Sequence, residues 1–232
     1  MIKVVGFDLD DTLWATKPTI LRAEKVLNDW LRSTVPELKH TTESMRNLRT
    51  TLVYREPELK KKITELRRRI IEHALELSDV GSSQATEISH QAIEVFLVAR
   101  NQVDFFEGSL STLAHLSGLY TLGALTNGNA DIRRIGLETY FSFAFSAEEV
   151  GAPKPEPDLF HAALEHNKVD PSEMVYVGDD PVLDVDAANR AGLHTVWLRS
   201  PNKLTPGETE ADIVIDLIEE LPSALKGLNF NR

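Results

Sequence analysis

Residues 2–12 read Ile2-Lys3-Val4-Val5-Gly6-Phe7-Asp8-Leu9-Asp10-Asp11-Thr12, a short β-branched run that stops at a cluster of carboxylates. Apolar runs with little polar alternation predict strands buried on both faces. The same reasoning predicts strands at 120–125, 174–177 and 195–198, with weaker candidates at 143–145 and 213–215. Helical patterns fall between the later strands, at 110–116, 130–137, 157–167 and 183–191, the last closed by Gly192 as a C-cap. Alternating strands and helices with short connections specify an α/β fold: a parallel sheet with helices on both faces.

One segment breaks this rhythm. Residues 16–103 contain no convincing strand, only long stretches rich in Leu, Glu, Lys and Arg, with Pro18, Pro36 and Pro57 at helix starts or breaks. The expected organisation is therefore a core made of residues 1–15 and 104–232, carrying an all-helical insert at 16–103. Ser82 and Ser83, beside Gly81, are expected to mark a turn between two of its helices. The basic run Lys60-Lys61-Lys62 and Arg67-Arg68-Arg69 has Glu58, Glu65 and Glu72 interleaved, so it is expected to form a solvated helix face held by i,i+4 pairs.

Composition narrows the possible partners. The chain has 232 residues, 42% of them hydrophobic, enough for a sizeable core. Its formal charge of −11 disfavours nucleic-acid phosphates and anionic lipid, and neither partner is expected. There is no cysteine, so thiolate metal sites and disulfides are excluded. The opening apolar run is too short for a signal peptide, no stretch approaches the roughly 20 apolar residues of a membrane span, and a cytoplasmic location is expected.

In an open parallel sheet, ligands collect beyond the carboxyl ends of the strands. Those ends are polar here. The first strand leads into Asp8-Leu9-Asp10-Asp11-Thr12, the second into Thr126-Asn127-Gly128-Asn129, the weak third into Gly151-Ala152-Pro153-Lys154-Pro155, and the fourth into Gly178-Asp179-Asp180 with Asp184 close behind. Up to six carboxylates would share one rim, and two like charges about 4 Å apart repel by about 4 kcal/mol at an effective dielectric near 20. Such a rim needs a cation. Hard oxygen donors without His or Cys nearby favour Mg²⁺.

These four segments resemble the four sequence motifs of the haloacid dehalogenase superfamily, and the resemblance extends over essentially the whole chain. It implies a Rossmann-like core with the helical insert as a cap. Within the superfamily, V-V-G-F-D-L-D-D-T-L-W, P-T-I-L-R-A-E, T-N-G-N-A and V-G-D-D-P-V-L-D-V resemble the bacterial flavin mononucleotide phosphatases. The resemblance implies a Mg²⁺-dependent phosphatase acting on a small phosphorylated metabolite. Flavin mononucleotide or the related ribitylamino-pyrimidine phosphate of riboflavin metabolism is the first choice. Sugar phosphates, phosphoglycolate and nucleotides are alternative substrates, a phosphomutase is an alternative activity, and a non-catalytic phosphate-ligand-binding protein is a third reading.

By the same resemblance Asp8 is the nucleophile that forms an aspartyl-phosphate, and Asp10 is the general acid and base. Superfamily members that act on carbon lack an aspartate at that second position, so Asp10 favours phosphoryl transfer. Thr126 and the Asn127 backbone would bind phosphoryl oxygens, and Lys154 would offset their charge. Asp8, the Asp10 carbonyl and Asp179 would hold the metal, with Thr12 orienting the loop and Asp184 supporting Lys154 or a metal-bound water. Asp11 is expected to serve a turn or cap, and Asp180 either to touch the metal through water or to cap the following helix, with structure the favoured role for both. Trp14, Tyr54 and Arg55 could each stack on or clamp a substrate ring, although core packing is the commoner use of such an aromatic. Nothing in the sequence indicates the oligomeric state.

Overall fold

The structure, a computed structural model, describes residues 1–200 and 203–230. Its strands are β1 Val4–Phe7, β2 Thr121–Thr126, β3 Phe143–Ser146, β4 Met174–Gly178, β5 His194–Leu198 and β6 Ile213–Ile215. Its helices are α1 Thr16–Thr34, α2 Thr42–Arg55, α3 Ile63–Glu76, α4 Ser82–Arg100, α5 Ser109–Ser117, α6 Ile132–Ile135, α7 Ala147–Val150, α8 Asp158–Asn167, α9 Ala187–Arg190 and α10 Leu221–Phe230.

The six strands make one parallel sheet in the order β3-β2-β1-β4-β5-β6. All six lie where the apolar runs place them, and the two weakest candidates occupy the edges, where one-sided pairing asks less of the sequence. The chain moves outward from β1 through β2 to β3, then returns to β4 on the other side of β1. That reversal opens a crevice at the carboxyl ends of β1 and β4. Side chains along β1 alternate between two cores. Val5 and Phe7 join Leu113, Leu116, Leu221 and Leu225 on the face covered by α5 and α10. Val4 joins Leu159, Phe160, Ala163 and Ala188 on the face covered by α8 and α9.

The chain divides into two compact units, Met1–Thr16 with Val103–Arg232, and Lys17–Gln102. The second unit is all-helical among its described residues. Its α1 buries Ala23, Leu27 and Leu31 at four-residue spacing, against Ile71, Leu75, Ile88, Ala92 and Phe96 of α3 and α4. In the first unit, the segments that leave and re-enter the sheet core are tied together: Trp14 bridges to Phe105, and Phe106 N donates to Leu13 O at 2.9 Å.

Local differences from expectation have physical causes. Ser82 and Ser83 open α4 after Gly81, and the turn lies before them. The helix expected at 130–137 shrinks to α6, because Asp131 caps its start and Gly136 ends it with φ 84°. The helix expected at 183–191 begins earlier, as a π-helical turn Pro181–Asp186 capped by Asp180, and Gly192 follows α9 with positive φ as expected. No helix among the described residues is long and apolar enough to cross a membrane.

Candidate active site

Asp8 follows β1 directly, Thr126 ends β2 and Asp179 follows β4, so strand register alone brings these three side chains to one rim. Lys154 arrives from the loop between α7 and α8 and is clamped by an amide: its backbone N donates to Asn127 Oδ1 at 2.7 Å, and Asn127 Nδ2 donates to its carbonyl at 2.9 Å. The result is a cavity of about 270 Å³ lined by Asp8, Asp10, Thr126, Lys154, Asp179 and Lys203, among others.

Lys154 is buried, and all three of its ammonium protons are engaged. Nζ lies 2.7 Å from Asp8 Oδ1, Asp184 Oδ1 and Tyr176 Oη. Burial opposes its charge, but the Asp184 and Asp8 carboxylates outweigh that and hold the ammonium well above its usual pKa. Tyr176 passes its own proton to the carbonyl of Leu125 at 2.8 Å, so the phenol oxygen faces Lys154 as an acceptor. Gly178 makes room for this arrangement: a Cβ there would lie 2.3 Å from Asp184 Oδ2.

The acids carry more negative charge than the lysines balance. Burial pushes the Asp8 carboxyl up to about 8 although Lys154 pulls it down, with Asp184 adding to the rise. Burial likewise pushes Asp179 up to about 6 against the pull of Lys203. Carboxylate oxygens of Asp8, Asp179 and Asp184, all buried, lie within 4.8 Å of one another. This surplus of hard oxygen donors, with no His or Cys among them, fits Mg²⁺. The acid whose carboxylate joins Asp8 and Asp179 is Asp184. The carboxylate of Asp10 instead receives Trp14 Nε1 at 2.9 Å and remains half-buried.

The remaining candidates separate clearly. Thr12 Oγ1 lies 3.4 Å from Asp8 Oδ2 and 3.5 Å from Asp179 Oδ1, bridging two motifs. Thr126 Oγ1 accepts from Gly128 N at 2.9 Å, which shapes the loop after β2. Asp11 has φ 62° and accepts from Thr16 N, a turn role. Asp180 Oδ1 caps Val182 N and Leu183 N, both at 2.9 Å. Trp14 is fully buried and packs edge-on against Phe105, so it positions Asp10 and offers no ring to a ligand. Tyr54 and Arg55 are exposed. The basic run is only partly the solvated face expected: Lys60, Lys61 and Lys62 are exposed and Arg68 pairs with Glu65 and Glu72, but Arg67 turns inward to lie 3.9 Å above the Phe96 ring.

Sequence reasoning missed two residues. Lys203 Nζ sits 2.8 Å from both Asp179 Oδ2 and Asp180 Oδ2. A single lysine in an irregular segment carries no periodicity or motif that would flag it. Tyr176 did leave a signal, because a hydroxyl in the otherwise apolar run Met174-Val175-Tyr176-Val177 must find a buried partner.

A family model for haloacid dehalogenase-like hydrolases matches residues 2–192. The chain is 34% identical over 202 residues to the 5-amino-6-(5-phospho-D-ribitylamino)uracil phosphatase YigB of Escherichia coli, covering 87% of this chain and 85% of that one. It is 32% identical to a glyceraldehyde 3-phosphate phosphatase of Methanopyrus kandleri, covering 86% and 84%. A crystal structure described as 2-haloacid dehalogenase from Pseudomonas syringae superposes with a TM-score of 0.94 at 42% identity, covering 98% of this chain and 99% of that one. With its sheet order, its strand-end acids and a match spanning most of its length, the chain belongs to the haloacid dehalogenase-like hydrolases.

Proposed function

We propose that this chain, a phosphoric monoester hydrolase of its family, cleaves small-metabolite phosphate monoesters through an aspartyl-phosphate on Asp8. The observation that carries this is the pairing of two aspartates in opposite settings: Asp8 buried on Lys154, Asp10 half-buried on Trp14. Asp8 attacks phosphorus, and the bond to the ester oxygen breaks as Asp10 gives that oxygen its proton. Asp10 then takes a proton from water as the water attacks phosphorus, releasing phosphate and restoring Asp8. Lys154, fixed by Asn127 and Asp184, offsets charge on the phosphoryl oxygens. Asp8, Asp179 and the backbone carbonyl of Asp10 would hold Mg²⁺, with Asp184 beside them. Bound there, the metal supplies charge neutralisation for nucleophile and phosphoryl group. The all-helical unit serves as the cap, and flavin mononucleotide or the ribitylamino-pyrimidine phosphate is the preferred substrate, which would place the enzyme in riboflavin metabolism.

Similarity to a structure described as a 2-haloacid dehalogenase supports a second reading, in which Asp8 attacks carbon and expels halide. Halide is a weak base that needs no proton, which would leave Asp10 without a task; an alkoxide needs one. One preparation tested for phosphate release from p-nitrophenyl phosphate and halide release from 2-chloropropionate, each with Mg²⁺ and with EDTA, separates the two. Mg²⁺-dependent phosphate release that EDTA abolishes is expected, and halide release without phosphate release would overturn the proposal. Among phosphate esters, kcat/KM for flavin mononucleotide or the ribitylamino-pyrimidine phosphate is expected to exceed that for sugar phosphates and phosphoglycolate. Equal values would remove the substrate assignment alone. Phosphate release without an added sugar bisphosphate argues against a mutase.

Two further outcomes follow from the acid cluster. Lys203 contributes a cation to Asp179, so Lys203→Met is expected to tighten Mg²⁺ binding, measured by calorimetry, by roughly tenfold, the worth of about one charge-assisted contact. Weaker binding in the variant would show that Lys203 assists the metal. Metal also needs ionised carboxylates, and Asp179 and Asp8 hold their protons up to about 6 and about 8. Apparent Mg²⁺ affinity should therefore climb between about pH 6 and pH 8 with proton release on binding, and a flat affinity across that range would contradict the burial of these acids.

A further inference from the structure

The all-helical unit contains a second cavity, of about 340 Å³, lined by α1, α2 and α3 and made only of residues from that unit. Its floor is apolar, formed by Leu27, Met45, Leu66 and Ile70. Its polar lining has one dominant sign. Arg46 and Arg49 on α2 and Arg67 on α3 face one acid, Glu24 on α1. The pairing of Arg67 with Glu24 is long, at 3.5 Å, and Arg67 also lies over the Phe96 ring. Neither Arg46 nor Arg49 is in an ion pair among the described residues. Three guanidinium groups against one carboxylate give the lining a surplus of positive charge, and burial lowers the pKa of Arg67 although Glu24 opposes that. On a chain of formal charge −11, such a concentration around an apolar hollow is local and specific.

The size lies within the range of small-molecule sites, about 300–1,000 Å³. Guanidinium groups recognise carboxylate, sulfonate and phosphate in a planar, two-pronged manner. An apolar floor beneath them selects a ligand with an apolar or aromatic body. We infer that the cavity between α1, α2 and α3 is a binding site for a small organic anion with an apolar body, held by Arg46, Arg49 and Arg67. The inference does not depend on which phosphate ester the enzyme hydrolyses. The same chemistry has two sources: the enzyme's own substrate, or a separate effector.

The test uses the full chain and the fluorescent aromatic sulfonate 1-anilinonaphthalene-8-sulfonate, with the uncharged N-phenyl-1-naphthylamine as control. Saturable binding of the sulfonate is expected, at least about tenfold weaker for the neutral amine and at least about tenfold weaker in the Arg46→Gln/Arg49→Gln double variant, as for loss of charge-assisted hydrogen bonds. Both side chains are exposed, so the variant should keep the wild-type circular dichroism spectrum and melting temperature. Arg49→Lys, which keeps the charge and loses the fork, should fall between. Equal binding of the two dyes, or sulfonate binding unchanged by the double variant, would overturn the inference. Kinetics with p-nitrophenyl phosphate then identifies the source. A sulfonate that raises KM at constant kcat competes with the substrate, and one that changes kcat acts as an effector. A chain that binds the sulfonate as described but hydrolyses no phosphate ester would keep this inference and remove the proposed function.

Discussion

Asp8→Asn is expected to lower phosphate release by about 10⁴-fold or more, since removing the attacking group of a covalent mechanism costs at least that much in comparable hydrolases. The amide preserves shape and leaves Lys154 its contacts with Asp184 and Tyr176, so the variant should fold. Its stability gives an independent check in EDTA. The Asp8 carboxyl is raised from 3.8 to about 8, chiefly by burial. For an acid raised on folding, the destabilisation is absent below the unfolded value and grows as pH climbs through the folded one. Metal-free wild type should therefore lose stability between about pH 4 and pH 8, and Asp8→Asn should lose less. Urea titrations at pH 5 and pH 8 measure this. Residual activity within tenfold of wild type would eliminate Asp8 as nucleophile.

Lys154→Met should damage both folding and activity. The ammonium is the shared partner of two buried carboxylates, and its removal leaves Asp8 and Asp184 without a cation between them. Breaking a buried pair from one side typically costs about 3–5 kcal/mol. A loss of that order is expected in EDTA at pH 8, shrinking when Mg²⁺ is added because the metal supplies the missing charge. Turnover should fall by about 10³-fold, because the proposed mechanism uses this charge to offset the phosphoryl oxygens. The double variant Lys154→Met/Asp184→Asn should regain much of the stability and none of the turnover. If Lys154→Met matched wild type in metal-free urea titrations, the account of the buried charge cluster would be wrong.

The strands were legible because each is a short apolar run ending in a polar cluster, and parallel pairing brings those ends to one rim whatever the connecting helices do. Hence Asp8, Thr126, Lys154 and Asp179 can be grouped from the sequence, although over a hundred residues separate the first two. The use of each side chain was less legible. Asn127 serves through its amide, which grips the Lys154 backbone, and only the conformation of the loop between α7 and α8 reveals that. Trp14 looked available to a ligand but is consumed by Phe105 and Asp10, because the returning segment after α4 covers it. Lys203 escaped notice since irregular loops place charges without a repeating pattern. Arg67 was misjudged along with its neighbours: consecutive helix positions differ by about 100°, so a run of three arginines cannot all face water when one side of the helix is packed.

The Trp14–Phe105 bridge also bears on the order in which the chain can fold. β1 is a central strand of the sheet and precedes its partners in the chain, since β2 and β4 begin only at Thr121 and Met174. During synthesis this apolar segment must wait, unpaired, while the helices of residues 17–102 are made. Those helices have their own buried cluster, so they can pack without the sheet. Once they pack, the ends of the excursion are held near each other and the loop that Trp14 and Phe105 close is effectively short, which reduces the entropy cost of joining β1 to β2. The insertion thus shortens the closure between β1 and β2 before either strand is paired.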